Sequence, residues 1–155
     1  MGYRSDVSIT MYQEDFDAMV KSAASENEEA LNLIKYATLF QDAKNKTVTM
    51  FWNCVKWYED FEDVGFIESF IKKDGVQYRF IRVGEEMGDI EEESNDDDWV
   101  LYDSTRAEQY INIDQAGDEV DNQKLVESII KQTAEQSDDN IEPVSETELF
   151  NLINA

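Results

Sequence analysis

The chain has no histidine, one cysteine, one proline, and only 13 Lys and Arg against 36 Asp and Glu. Without histidine it lacks the usual general base near neutral pH, the Ser-His and Cys-His nucleophile pairs, and the commonest transition-metal ligand. With a single cysteine as well, a structural zinc site is excluded. Cys54 cannot close an internal disulfide, and within the apolar run TMFWNCVKWY it reads as a buried small hydrophobe in a reducing compartment. Glycines are few: Gly2, Gly65, Gly75, Gly84, Gly88 and Gly117 form neither a GxGxxG fingerprint nor a Walker loop. No apolar run approaches the ~18 residues of a membrane span, and MGYRSDVSIT lacks the basic-then-apolar pattern of a signal peptide. The expectation is a cytoplasmic protein with no membrane partner.

What is present is a core beneath an acidic surface. A chain of 155 residues matches one domain, and 3 Trp, 7 Tyr and 8 Phe in a 41% hydrophobic composition argue against a disordered acidic chain. The net charge is −23, beyond the magnitude of about 2 to 8 that solubility asks of a small domain. It is unevenly spread. Residues 1–84 are net −4, residues 85–122 net −14, with 15 acidic side chains and one basic, and residues 123–155 net −5.

The hydropathy pattern predicts a single α+β domain of βαβαββ type, an acidic domain over 1–120 with a helical C-terminal extension over 121–155. Val7, Ile9 and Met11 alternate with Ser8, Thr10 and Tyr12 as in a half-buried strand. Phe16, Met19, Val20 and Ala23 recur at helical spacing. Ser25 with Glu28 forms a capping box before EALNLIKYATLF, so two consecutive helices, or one broken near Ser25, are expected. Lys46–Tyr58 reads as a central strand, and Val64, Ile67, Phe70 and Ile71 as one helical stripe closed at Asp74-Gly75. Val76–Gly84 is a strand, with a partner in WVLYDS from Trp99 or EQYINI from Glu108. The acidic run between them is then a connection of about fifteen residues, a length usually functional or disordered. A helix over Asp121–Glu135 turns Leu125, Val126, Ile129 and Ile130 inward. A linker from Gln136 and a short helix capped by Ser145 and Glu148 follow.

The run EEMGDIEEESNDDDW, Glu85 to Trp99, holds nine carboxylates and no Lys or Arg. Calcium in an EF-hand needs ligands at positions 1, 3 and 5, Gly at 6 and Glu at 12. A start at Asp96 fails at Val100 and Leu101, and a start at Asp114 fails at Ala116 and Glu119, so no metal site is expected. Paired carboxylates for hydrolysis are available everywhere, yet nothing singles one pair out. The chain is therefore expected not to be an enzyme and to need no cofactor. Two readings remain: a solvated loop, the usual fate of a charge run, or a surface that imitates nucleic acid. Duplex DNA carries one charge per about 1.7 Å, so −23 matches about 12 base pairs and the −14 block about 7. The candidate binding residues are Glu91, Glu92, Glu93, Asp96, Asp97 and Asp98, with Glu85, Glu86 and Asp89 flanking, as phosphate surrogates for Arg and Lys. Trp99 reads as a core residue opening a strand or as an anchor at the edge of that surface.

MGYRSDVSITMY (1–12), VKWYEDFEDVGFIESFI (55–71) and YRFIRVGE (78–85) together resemble a group of small acidic α+β proteins encoded by bacteriophages and prophages, over about two thirds of the chain. The resemblance implies a source rather than an activity and carries over no functional residue; the helices from Asp121 onward lie outside it. Charge and size are similar to those of phage inhibitors of restriction enzymes and CRISPR effectors, some of them DNA mimics. The expectation is thus a non-enzymatic inhibitor that binds a basic host protein, a nucleic-acid-binding nuclease or effector, in the bacterial cytoplasm, without binding nucleic acid itself. The alternative is a phage accessory or assembly protein that docks through an apolar helix face bearing Leu149, Phe150 and Leu152, its charge serving solubility.

Overall fold

The computed structural model describes residues 2–97, 99–107 and 110–141, with the backbone alone for 103 and 133–141. It is an α+β domain. Eight strands, β1 (Ser5–Tyr12), β2 (Thr38–Asp42), β3 (Thr47–Val55), β4 (Tyr78–Gly84), β5 (Ile90–Ser94), β6 (Arg106–Ala107), β7 (Ile111–Asn112) and β8 (Asp118–Val120), alternate with five helices among the described residues. The helices are α1 (Gln13–Glu26), α2 (Glu28–Tyr36), α3 (Glu62–Ile71), α4 (Val100–Ser104) and α5 (Asn122–Ile141). Six strands form an antiparallel sheet in the order β5-β4-β1-β3-β2-β8, and β6 and β7 form a separate hairpin.

One face of the sheet carries the main core. Val7, Ile9 and Met11 of β1 stand in register with Trp52, Met50 and Val48 of β3, and all six are buried. They meet Phe16, Met19, Val20 and Ala23 of α1, Val64 and Ile67 of α3, and Val126 and Ile129 of α5, the stripes expected from spacing. On the opposite face, the half-buried pattern of β1 leaves Ser8 and Thr10 to face solvent, but both are buried; Thr49 beside them is buried as well, as suits a central strand covered on both sides. The segment after β5 folds back over it: α4 and β7 lie against β1 and β4, and bring in Leu101 and Ile111. The hydroxyls of Thr10 and Thr49, opposite one another in register, satisfy each other at 2.7 Å.

Several expectations are corrected. The break between α1 and α2 falls at Asn27, whose side chain accepts the Ala30 N–H at 3.0 Å, so Asn27 and not Ser25 caps the second helix. The helical reading of EALNLIKYATLF ran too far. Asn122, at the start of α5, donates to the carbonyls of Ile34 and Ala37 at 2.9 and 2.7 Å and ends α2 there, leaving Thr38–Asp42 to pair with β3. Cys54 is exposed: the β1–β3 register shifts between Ser5 and Val7, and Cys54 sits in this bulge at φ +61°, its N–H bound to Asp6. Helix α5 continues to Ile141 where a linker was expected from Gln136. The expected helix from Ser145, with Leu149, Phe150 and Leu152, lies outside the described residues.

Candidate partner-binding surface

The acidic run is not one long connection. Glu85–Asp89 make a short turn, and Ile90–Ser94 form an edge strand in antiparallel register with β4, Arg82 opposite Glu91 and Phe80 opposite Glu93. This replaces the expected partners of Val76–Gly84, since WVLYDS becomes α4 and the EQYINI segment supplies β7 of the small hairpin. Glutamate is disfavoured in strands; here cations on neighbouring elements compensate. Arg82 reaches Asp89 at 2.8 Å and Glu91 at 2.7 Å, Arg79 reaches Glu92 at 2.8 Å, and Lys72, at the C-cap of α3, lies 3.8 Å from Glu93. Arg79 is itself buried, with its guanidinium over the Tyr102 ring at 4.4 Å.

The turn is tied to the N-terminus. Tyr3 donates its hydroxyl to Asp89 at 2.6 Å and accepts the Glu86 N–H, while Glu85 accepts the Arg4 N–H at 2.6 Å. Gly84 makes room for this crossing, because a Cβ there would overlap the Asp89 carboxylate and the Tyr3 hydroxyl. Hydrogen bonds from Arg82 and then Tyr3 hold the Asp89 carboxyl below the usual carboxylate range. On the helix-side face, Tyr78 donates to Glu93 at 3.2 Å, and burial, aided by the Glu93 charge, pushes its phenol up to about 12.

The sequence-predicted residues therefore divide. Glu91, Glu92 and Glu93 form an ordered, exposed row, with Asp89 at its foot and Glu85 and Glu86 in the turn. Asp96 is turned inward: its carboxylate accepts the Ser94 hydroxyl at 2.6 Å and the Leu101 N–H at 3.0 Å, which makes it a structural cap for α4. Asp97 is exposed and its N–H binds the Gln77 side chain. Asp98 lies outside the described residues. Trp99 is 63% exposed at φ +68° and stacks edge-on with Tyr102 at 5.0 Å, so the core reading is corrected in favour of an exposed position beside the acidic row. Tyr102, 41% exposed, is the neighbour that sequence reasoning missed. No periodicity marks it, because its helix is a single turn.

On the other face of β5 an open groove of about 600 Å³ is lined by Trp57 and Tyr58, by the carboxylates of Glu59, Asp60, Glu68 and Glu91, and by Arg82, which is paired with Glu91. A slightly larger groove, about 640 Å³, lies near Tyr12 and Lys46 and is lined without such a convergence of charge. Burial holds the Glu68 carboxyl above the usual carboxylate range, against the Trp57 indole N–H donated at 2.7 Å. A carboxyl with a raised folded-state pKa weakens the fold at neutral pH, and that penalty vanishes as pH falls through the raised value. Glu68→Gln keeps an acceptor for Trp57. It should be more stable than the wild-type chain at neutral pH in urea denaturation and should lose that advantage on acidification. An advantage that grew with acid would contradict the burial argument.

Chemically, the surface offers carboxylates fixed by partners, the half-buried ring of Tyr58 beside the buried Trp57, and an exposed Trp-Tyr pair. It suits ammonium or guanidinium groups, which bind carboxylates by charge-assisted hydrogen bonds and aromatic faces by cation–π attraction. Among the described residues, no three His, Cys, Asp or Glu side chains converge as a metal shell, and no helix is long and apolar enough to cross a membrane. No protein-family model, no curated protein and no solved structure matches this chain.

Proposed function

We propose that the chain is a non-enzymatic inhibitor of the kind bacteriophages encode, whose acidic sheet edge occupies the nucleic-acid-binding groove of a basic host protein, a defence nuclease or effector. The observation that carries this reading is β5. Its glutamates form an exposed row whose geometry is set before binding by Arg79, Arg82 and the β4 register. Glu91 and Glu93, two residues apart, are separated by about 7 Å along the strand, about twice the axial spacing of charges on one DNA strand. The internal ion pairs return part of the charge, since Lys72, Arg79 and Arg82 stand against this patch. They leave carboxylate oxygens facing solvent and give up charge in exchange for order. An exposed Trp99 and Tyr102 beside the row supply the aromatic contacts that dominate protein interfaces.

The test is capture from a nuclease-treated bacterial lysate on the immobilised chain at low salt, followed by elution with duplex DNA. Nucleic-acid-binding proteins should be retained and then released by the DNA. Retention only of proteins that DNA does not displace would favour docking through another face and overturn the mimic.

A further inference from the structure

The two edges of the sheet differ. The β8 edge is three residues long, whereas β5 presents five residues, all exposed, at the end of the strand order. The Gly84 N–H donates to the Asp89 carbonyl at 2.8 Å and the Asn95 N–H to the Tyr78 carbonyl at 3.2 Å. Hydrogen-bonded and non-bonded pairs alternate along an antiparallel ladder, so Glu91 and Glu93 direct their backbone groups toward β4, while Ile90, Glu92 and Ser94 direct theirs outward. The Ile90 N–H is taken by the Gly88 carbonyl at 3.0 Å. The N–H groups of Glu92 and Ser94, with the carbonyls of Ile90 and Glu92, stand along an edge that no described strand covers.

Such an edge is a template for another strand unless something discourages pairing. Here the side chains decide the partner. Two copies of β5 laid edge to edge would bring Glu91, Glu92 and Glu93 against one another, and like charges directly opposed are destabilising. An apolar strand would find only Ile90 along the row. A basic strand would meet carboxylates on both faces: Glu92 on one, Glu91 and Glu93 on the other, where the Trp57–Tyr58 groove opens beside Glu91.

We propose that the free edge of β5 is a pairing site for an extended Lys- or Arg-rich segment of the partner protein, with alternate cations seated beside Glu91 and Glu93. This rests on the reading of the acidic edge as a binding surface and adds how the partner is held: main-chain hydrogen bonds give alignment, and the carboxylates select basic sequence.

The probe is a peptide of about eight residues alternating Lys and Val, long enough for a strand, compared with its backbone N-methylated counterpart of the same charge. The unmethylated peptide should bind the full chain at least about tenfold more tightly, a difference of ~1.4 kcal/mol. At saturation it should slow hydrogen exchange at the Glu92 and Ser94 amides, but not at Glu91 and Glu93, which β4 already protects. Ser94→Pro, which removes an outward N–H on an edge where proline is tolerated, should abolish the difference between the peptides, while Ser94→Ala should keep it. Equal binding of the two peptides would overturn strand pairing and leave the acidic surface intact as a charge-based site. Failure of both to bind at low salt would overturn the pairing and the binding-surface reading together.

Discussion

Replacing Trp52 with Ala is expected to cost about 3–5 kcal/mol, the usual loss for truncating a large buried aromatic, against a total stability of about 5–15 kcal/mol for a domain. Trp52 is 1% exposed at the centre of β3, opposite Val7, and it contacts the Trp57 ring at a centroid distance of 5.0 Å. Its indole N–H donates to the Leu33 carbonyl at 2.9 Å, so it ties the sheet to α2 as well as filling the layer between them. Truncation removes the ring, opens a cavity against Trp57 and leaves the Leu33 carbonyl without that donor. Trp52→Phe keeps most of the volume and gives up the hydrogen bond, a loss of about 1 kcal/mol from that bond. Urea denaturation followed by far-ultraviolet circular dichroism measures both. A loss under about 1 kcal/mol for Trp52→Ala would contradict the placement of the core on this face.

Arg82→Ala should loosen the acidic edge without unfolding the domain. The guanidinium holds Asp89 and Glu91 and also donates to the Ser5 hydroxyl at 2.9 Å, so one side chain fastens the turn, the edge strand and β1. Without it, two carboxylates at the foot of β5 lose their cation and repel each other. Hydrogen bonds to charged groups are worth enough to change local opening by roughly ten- to a hundredfold. Exchange of the Glu91 and Glu93 amides should accelerate by that factor while amides of β1 and β3 keep their rates. The effect has a pH signature. Asp89 has a depressed folded-state pKa, so its contribution is present above the unfolded value of 3.8 and is lost as pH falls through the lower folded value. The stability difference between wild type and Arg82→Ala should therefore be full at neutral pH and shrink in acid. Equal exchange rates in the two proteins would mean that the row is not held by Arg82.

Periodicity made some of this legible and tertiary contacts hid the rest. Val7, Ile9 and Met11, the stripe Val64, Ile67, Phe70 and Ile71, and the inward Val126 and Ile129 all follow from one buried face per element. Strand β2 was invisible because Leu39 and Phe40 continue the apolar spacing of α2, and the residue that stops the helix, Asn122, lies more than eighty positions away. The exposure of Cys54 depends on a bulge, and that of Trp99 on a left-handed φ; neither leaves a mark in hydropathy. Composition flagged the acidic run, but charge has no period. Five exposed residues, four of them polar, carry no strand pattern of their own. Order in that segment comes from Arg79 and Arg82, spaced along β4 so that one cation falls on each face of the edge. The same arrangement explains why Asp96 differs from its neighbours: it is close enough to α4 to cap it.

In the proposed function the glutamates of β5 take the place of DNA phosphates on a basic partner. The slope of log affinity against log salt, measured for a partner captured and eluted by duplex DNA, tests it most directly. Affinity should fall steeply with salt, and a Glu91→Lys, Glu92→Lys, Glu93→Lys triple variant should no longer bind at low salt while its circular dichroism stays that of the wild-type chain. A flat slope, or full binding by that folded variant, would contradict it.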